Sequence, residues 1–216
     1  MSRVCWKVCG ITNIADAVLS VTAGVDAIGF VFWPGSPRAV TVDDAASIAS
    51  EIPDDVWKVG VFIEPSSAVL KDTIAGAGLD FVQLVGDERA TSCADWPKPA
   101  WKVLRLAPGT ASEVALSQAE TYPDCTLVID ADVSGEYGGT GHVADWEVAA
   151  LLASRRRVVL AGGLRADNVG AAIEKVRPWG VDVSSGVEAE PGVKDGSKLL
   201  AFARALERAM GDAASF

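Results

Sequence analysis

Short apolar runs rich in β-branched and aromatic residues recur along the chain, and most are followed by a segment of helical character. The runs are VCWKVC (4–9), AIGFVF (27–32), WKVGVFI (57–63), DFVQLV (80–85), WKVLRL (101–106), TLVID (126–130), RVVLAG (157–162) and GVDVSS (180–185). Their length and composition predict strands. Between and after them the pattern predicts helices over Asn13–Ala23, Asp43–Glu51, Ser66–Ala77, Ser112–Tyr122, Asp145–Ser154, Asp167–Val176 and Ser197–Met210. Several of these open on a Ser, Asp or Asn suited to cap a helix N-terminus. The segment Glu88–Trp96 is a poor helix candidate, weakened by Thr91, Ser92 and the following Pro97.

A strand about every 25 residues, alternating with helices, predicts a parallel sheet. Eight such units match a closed (β/α)8 barrel, the TIM-barrel architecture, at the short end of its usual length. The alternative is an open doubly wound sheet, which would carry a glycine-rich phosphate loop after its first strand. Only Gly10 stands there. No low-complexity linker divides the chain, so one domain over 1–216 is expected.

Composition narrows the function. Half of the 216 residues are hydrophobic, enough for a sizeable core, and the net charge of −10 disfavours a nucleic-acid partner. No apolar run approaches the ~20 residues that span a bilayer, and MSRVCWKVCG lacks the apolar stretch of a secretory signal. A cytoplasmic protein is expected, with no membrane partner. The cysteines, Cys5, Cys9, Cys93 and Cys125, form no C-x-x-C pair, and His142 is the single histidine, so no zinc site is expected. Cys5 and Cys9 fall on one face of a strand with Cα atoms about 13 Å apart, too far for a disulfide. All four are read as reduced thiols.

Barrel enzymes carry their chemistry at the C-terminal ends of the strands. Cys9 ends the first strand here, Asp130 the sixth, Gly162-Gly163 the seventh and Ser184-Ser185-Gly186 the eighth, while Arg38 lies in the loop after the second. Alternation puts Lys7 on the face of Cys9 and Asp182 on the face of Ser184. Both charges would then point into the interior, where burial is costly without a partner, so a Lys7–Asp182 contact is expected. A lysine there would also favour the Cys9 thiolate. Singly, each residue has a plainer role. A free cysteine is ordinarily a small core residue. An aspartate or serine can cap a helix, and an arginine in a Pro-rich loop is ordinarily solvated. Gln83 either faces the mouth or satisfies interior hydrogen bonds. Convergence on one rim is what favours the functional reading.

Eight stretches, KVCGIT (7–12), GFVFWPGSPR (29–38), KVGVFIE (58–64), VQLVGDE (82–88), GGTG with DW (138–146), LAGGLRADNV (160–169), GVDVSSGVE (180–188) and PGVKD (191–195), run in order along the chain. Together they resemble the phosphoribosylanthranilate isomerases of tryptophan biosynthesis. The resemblance implies an Amadori rearrangement of N-(5-phosphoribosyl)anthranilate to 1-(2-carboxyphenylamino)-1-deoxyribulose 5-phosphate. An acid protonates the furanose oxygen and opens the ring to a Schiff base. A base then removes the C2′ proton, giving an enolamine that becomes a ketone. By the resemblance Asp130 is the acid and Cys9 the base. Arg38 receives the anthranilate carboxylate. Gly162, Gly163, Ser184, Ser185 and Gly186 cradle the phosphate, and Asp182 joins them in substrate binding. The substrate's own nitrogen carries the imine, so no cofactor and no metal are implied. A monomer or a homodimer fits equally.

Two positions depart from the family's pattern. Val85 stands where a histidine is common, and His142 follows GGTG where a lysine is common. Both bear on rate or affinity. A dual-substrate isomerase that also serves histidine biosynthesis is disfavoured, because strand one ends in Cys9 and strand three runs into VFIEPS without a glycine pair. A non-catalytic phosphosugar-binding barrel would leave Cys9 and Asp130 unexplained.

Overall fold

The structure, a computed structural model, describes residues 3–88, 96, 98–107, 109–131 and 145–212. Cys93, Asp132, the GGTG at 138–141, His142 and nearly all of the weak helix at 88–96 lie outside the described residues.

Eight parallel strands close into a barrel in sequence order. They are β1 Cys5–Cys9, β2 Ala27–Val31, β3 Trp57–Phe62, β4 Phe81–Leu84, β5 Ala100–Leu106, β6 Thr126–Ala131, β7 Val158–Leu160 and β8 Gly180–Val183. Pairing of β1 with both β2 and β8 closes the cylinder and excludes an open sheet. Seven α-helices lie among the described residues. These are α1 Ile14–Thr22, α2 Val42–Ala49, α3 Ser67–Ala77, α4 Ser112–Glu120, α5 Trp146–Ala153, α6 Val169–Val176 and α7 Gly196–Asp212.

Several helix starts follow from their caps. Asn13, Ser66 and Asp145 each accept hydrogen bonds from first-turn backbone N–H groups, and Thr41 forms a reciprocal capping box with Asp44. The expected helix over Asp167–Val176 begins later, at Val169. Asp167 is not part of it because Asn168 folds back, its Oδ1 accepting from the Arg165 N–H. Strand β7 is also shorter than RVVLAG predicts: the polar Arg157 lies before it and Gly162 turns away at φ 82°.

Alternation divides the strand residues between two cores. Trp6, Val8, Ile28, Phe30, Leu127 and Ile129 face the helices, while Val59, Val61, Val103, Val128 and Val159 fill the barrel. Aromatic side chains from the strand starts plug the lower end. Trp57 packs on Phe81 at 5.1 Å between ring centroids, Phe81 on Trp101 at 5.7 Å, and Trp101 meets Trp179 edge-on at 6.1 Å. Such offset and edge contacts are the favoured aromatic geometries. With the lower end filled, the cavity opens at the upper end, where the strands finish.

One element was not predicted. After a 3-10 turn at Ser185–Val187, β9 (Glu188–Glu190) and β10 (Val193–Lys194) form a small antiparallel hairpin over the upper rim. Strands of three and two residues are too short to leave a periodic signal.

Candidate active site

A solvent-open cavity sits at the upper end of the barrel. Cys9, Arg38, Asp130, Gly162, Gly163, Asp182, Ser184, Ser185 and Gly186 all line it. These residues come from the ends of β1, β6 and β8 and from the loops after β2, β7 and β8. The structure therefore brings every sequence-predicted site residue to one cavity. Trp33, Val61, Gln83 and Val85 complete much of its wall.

The floor is ionic. Lys7 Nζ lies 2.7 Å from Asp182 Oδ2, the lysine fully buried and the aspartate nearly so. Their strands place Lys7 and Asp182 in direct register. Burial disfavours the Lys7 ammonium, but Asp182 and the Cys9 sulfur outweigh that and hold its pKa above the ordinary value. Burial pushes the Cys9 thiol up, and the Lys7 ammonium pulls against that rise without cancelling it. Gly29, opposite Cys9 on β2, leaves room for this pair, because a Cβ there would stand 2.8 Å from Cys9 Sγ and 3.0 Å from Lys7 Nζ.

Two acceptors remain above that floor. Gln83 Oε1 and Asp182 Oδ1 are buried and have no hydrogen-bond partner among the described residues. An unsatisfied buried acceptor costs free energy unless a ligand supplies a donor. Gln83 thus lines the cavity while its side chain also acts on the buried Asp182 carboxyl, so both readings left open by the sequence apply. Asp130, half-buried, stands in register with Arg105 on β5.

The loops after β7 and β8 are locked together. A Cβ on Gly186 would stand 1.9 Å from the Leu164 carbonyl oxygen, a separation that only its absence permits. Gly162 and Gly163 turn successively with φ 82° and 59°, and Asn168 Nδ2 donates to the Gly163 carbonyl at 2.9 Å. Successive turns of this kind gather backbone N–H groups into an anion-binding concavity. The glycine pair does not lead straight into a helix, since residues 164–168 intervene before α6.

Arg38 reaches the cavity from the loop after β2, with its side chain against Gly10. A Cβ on Gly10 would stand 2.6 Å from Arg38 Cδ, and the glycine's φ of 76° is itself unfavourable for other residues. The residue after the cysteine thus makes way for an arginine. Glu188 and Lys194 of the hairpin surround the guanidinium's far side. No role for either was predicted. Both lie in segments quoted above, but charges in a short loop ordinarily read as solvated.

A family model for N-(5'-phosphoribosyl)anthranilate (PRA) isomerase matches residues 6–205. The chain belongs to that family. An N-(5'-phosphoribosyl)anthranilate isomerase of Pelobacter propionicus is 46% identical over 92% of this chain and 93% of its own. The crystal structure of the phosphoribosyl anthranilate isomerase of Thermotoga maritima superposes with a TM-score of 0.87 at 36% identity, covering 95% and 99% of the two chains. A crystal structure of a phosphoribosyl anthranilate isomerase in complex with reduced 1-(o-carboxyphenylamino)-1-deoxyribulose 5-phosphate matches over the same shares, with a TM-score of 0.84 at 36% identity. The protein is thus a barrel isomerase of tryptophan biosynthesis, and among its described residues no helix is long and apolar enough to cross a membrane.

Proposed function

We propose that this cavity converts N-(5-phosphoribosyl)anthranilate to 1-(2-carboxyphenylamino)-1-deoxyribulose 5-phosphate, with Asp130 as general acid and Cys9 as general base. The observation that carries the assignment is the convergence of a cysteine, an aspartate, an arginine and a glycine-serine rim on one opening. Each matches a part of the substrate. Asp130 gives its proton to the furanose oxygen as the C1′–O bond breaks, and the lone pair of the anthranilate nitrogen forms the C1′=N bond. Cys9 takes the C2′ proton, and the electron pair moves into C1′=C2′ as the nitrogen regains its neutral form. The resulting enolamine is also an enol at C2′. It becomes the C2′ ketone when C1′ gains a proton and the C2′ hydroxyl gives up its own.

Lys7 is the electrostatic partner of the base. It favours the thiolate form of Cys9 and stays protonated because Asp182 holds it. Gln83 Oε1 and Asp182 Oδ1 accept hydrogen bonds from sugar hydroxyls, which satisfies both orphan acceptors. The phosphate lies on backbone N–H groups of Gly162, Gly163, Ser184, Ser185 and Gly186, whose two loops are fixed to each other. Arg38 binds the anthranilate carboxylate through charge-assisted hydrogen bonds. Imine and enolamine chemistry is carried by the substrate's nitrogen. A cytoplasmic setting suits Cys9, whose chemistry requires a reduced thiol.

The reading is tested in cells by rescue of a bacterium that lacks this isomerase and is grown without tryptophan. The parent chain restores growth, and Cys9→Ala and Asp130→Asn do not. Failure of the parent, expressed and folded, would contradict the assignment.

A further inference from the structure

Arg38 is clamped before any substrate arrives. Its Nε donates to Glu188 Oε1 at 2.9 Å and its Nη2 to Glu188 Oε2 at 2.6 Å, a side-on bidentate pair. Glu188 is 5% exposed, and its carboxyl is held below the usual carboxylate range. Burial alone would raise it, but the hydrogen bonds from Arg38 and the charge of Lys194 outweigh that.

The clamp is tied to the barrel at several points. Lys194 Nζ donates to Glu188 Oε1 at 2.8 Å and to the Cys9 carbonyl oxygen at 2.6 Å. The Lys194 backbone N–H donates to Asp16 Oδ2 at 2.8 Å, and Thr12 Oγ1 donates to the Gly192 carbonyl at 2.6 Å. Lys198 Nζ donates to the Glu188 carbonyl at 2.6 Å. The hairpin that carries Glu188 is therefore fastened to α1, to α7 and to the backbone of Cys9. Such a fixed frame holds a long side chain in one rotamer.

The guanidinium geometry then determines what is left for a ligand. An arginine offers five N–H donors in a rigid plane. Glu188 occupies the Nε–Nη2 edge, so the Nη1–Nη2 edge is the one that a second carboxylate can engage with two hydrogen bonds. Arg38 lines the cavity.

We infer that Glu188 is a positioning residue for carboxylate recognition, fixing Arg38 so that its end-on edge meets the anthranilate carboxylate. Lys194 pairs with Glu188 and joins this recognition arm to the backbone of Cys9. The inference rests on the proposal that Arg38 receives that carboxylate. In its absence a mobile guanidinium would have to be ordered at each binding event, a cost that preorganisation removes.

The test compares two glycosylamines made from ribose 5-phosphate, one with anthranilate and one with aniline, which lacks the carboxylate. Their consumption is followed chromatographically with the parent, Glu188→Gln and Glu188→Asp. The parent prefers the anthranilate substrate. Glu188→Gln raises KM for that substrate on the order of tenfold with a smaller change in kcat, because a neutral amide cannot accept from both arginine donors. Its kcat/KM for the aniline substrate falls by much less, so the parent's preference shrinks. Glu188→Asp, which keeps the charge, recovers part of the preference and serves should the glutamine variant not fold. Equal losses on both substrates in a folded variant would make Glu188 merely structural and overturn the inference. A parent that does not distinguish the two substrates would instead remove the reading of Arg38 on which it rests.

Discussion

Lys7 Nζ lies 2.7 Å from Asp182 Oδ2 at the floor of the cavity, joining the first strand of the barrel to the last. The pair closes the cylinder electrostatically and sets a cation beside the Cys9 sulfur. Removing only one partner leaves a buried, uncompensated charge.

Lys7→Met should therefore act on both stability and activity. Loss of the ammonium strands the Asp182 carboxylate and destabilises the fold by about 3–5 kcal/mol. Adding Asp182→Asn recovers much of that loss in a denaturant titration, but not the turnover. The pH dependence separates the two effects. Cys9 must lose its proton to act as a base, and burial raises its pKa, so kcat/KM rises with pH on the alkaline side of neutrality. Without Lys7 the thiolate loses its counter-ion, and this limb moves to still higher pH. The pH profile of Cys9 alkylation should move with it. A Lys7→Met profile superposable on the parent's would contradict the coupling.

Gly186→Ala should weaken phosphate recognition. The added methyl group cannot coexist with the Leu164 carbonyl oxygen at 1.9 Å. Because the neighbour is backbone, the loops after β7 and β8 must separate. Inhibition by inorganic phosphate reports this directly, with an inhibition constant raised on the order of tenfold or more. The aniline and anthranilate substrates share the phosphate, so both should lose affinity alike.

Much of this site was legible in the sequence because a strand's period of two is simple. Alternation placed Lys7 below Cys9 and Asp182 below Ser184, and a buried pair of opposite charges followed from the cost of leaving either alone. The barrel rule then placed Cys9, Asp130 and the glycine-serine rim at one end. The Arg38–Glu188 contact was not legible for the opposite reason. Arg38 lies in a loop and Glu188 in a hairpin too short to show periodicity, so alternation assigns neither of them a face. Gly10 illustrates the same limit. Its place after the cysteine does not reveal what packs against it, and that group is the Arg38 side chain.

Alkaline pH should loosen the fold through Cys5. Burial first, then the carboxylates of Asp26 and Asp182, push its thiol from an ordinary 9.0 up to about 12. Between those values the native protein keeps a proton that the unfolded chain has lost, so stability falls as pH rises. The contribution is complete below about 9 and is lost progressively toward about 12. Cys9, also raised by burial, acts in the same direction. Denaturant titrations across that range should show a shallower decline for Cys5→Ala than for the parent. An unchanged slope would mean that Cys5 ionises alike in both states.

The most direct measurement follows anthranilate-type fluorescence as the purified protein consumes freshly formed N-(5-phosphoribosyl)anthranilate, beside Cys9→Ala and Asp130→Asn. The account predicts turnover by the parent and a fall in kcat of at least a hundredfold for either variant, the scale of general acid–base catalysis, with circular dichroism unchanged. Near-parental kcat in either folded variant would contradict the role given to that residue. A parent that binds the phosphosugar without converting it would contradict the central claim.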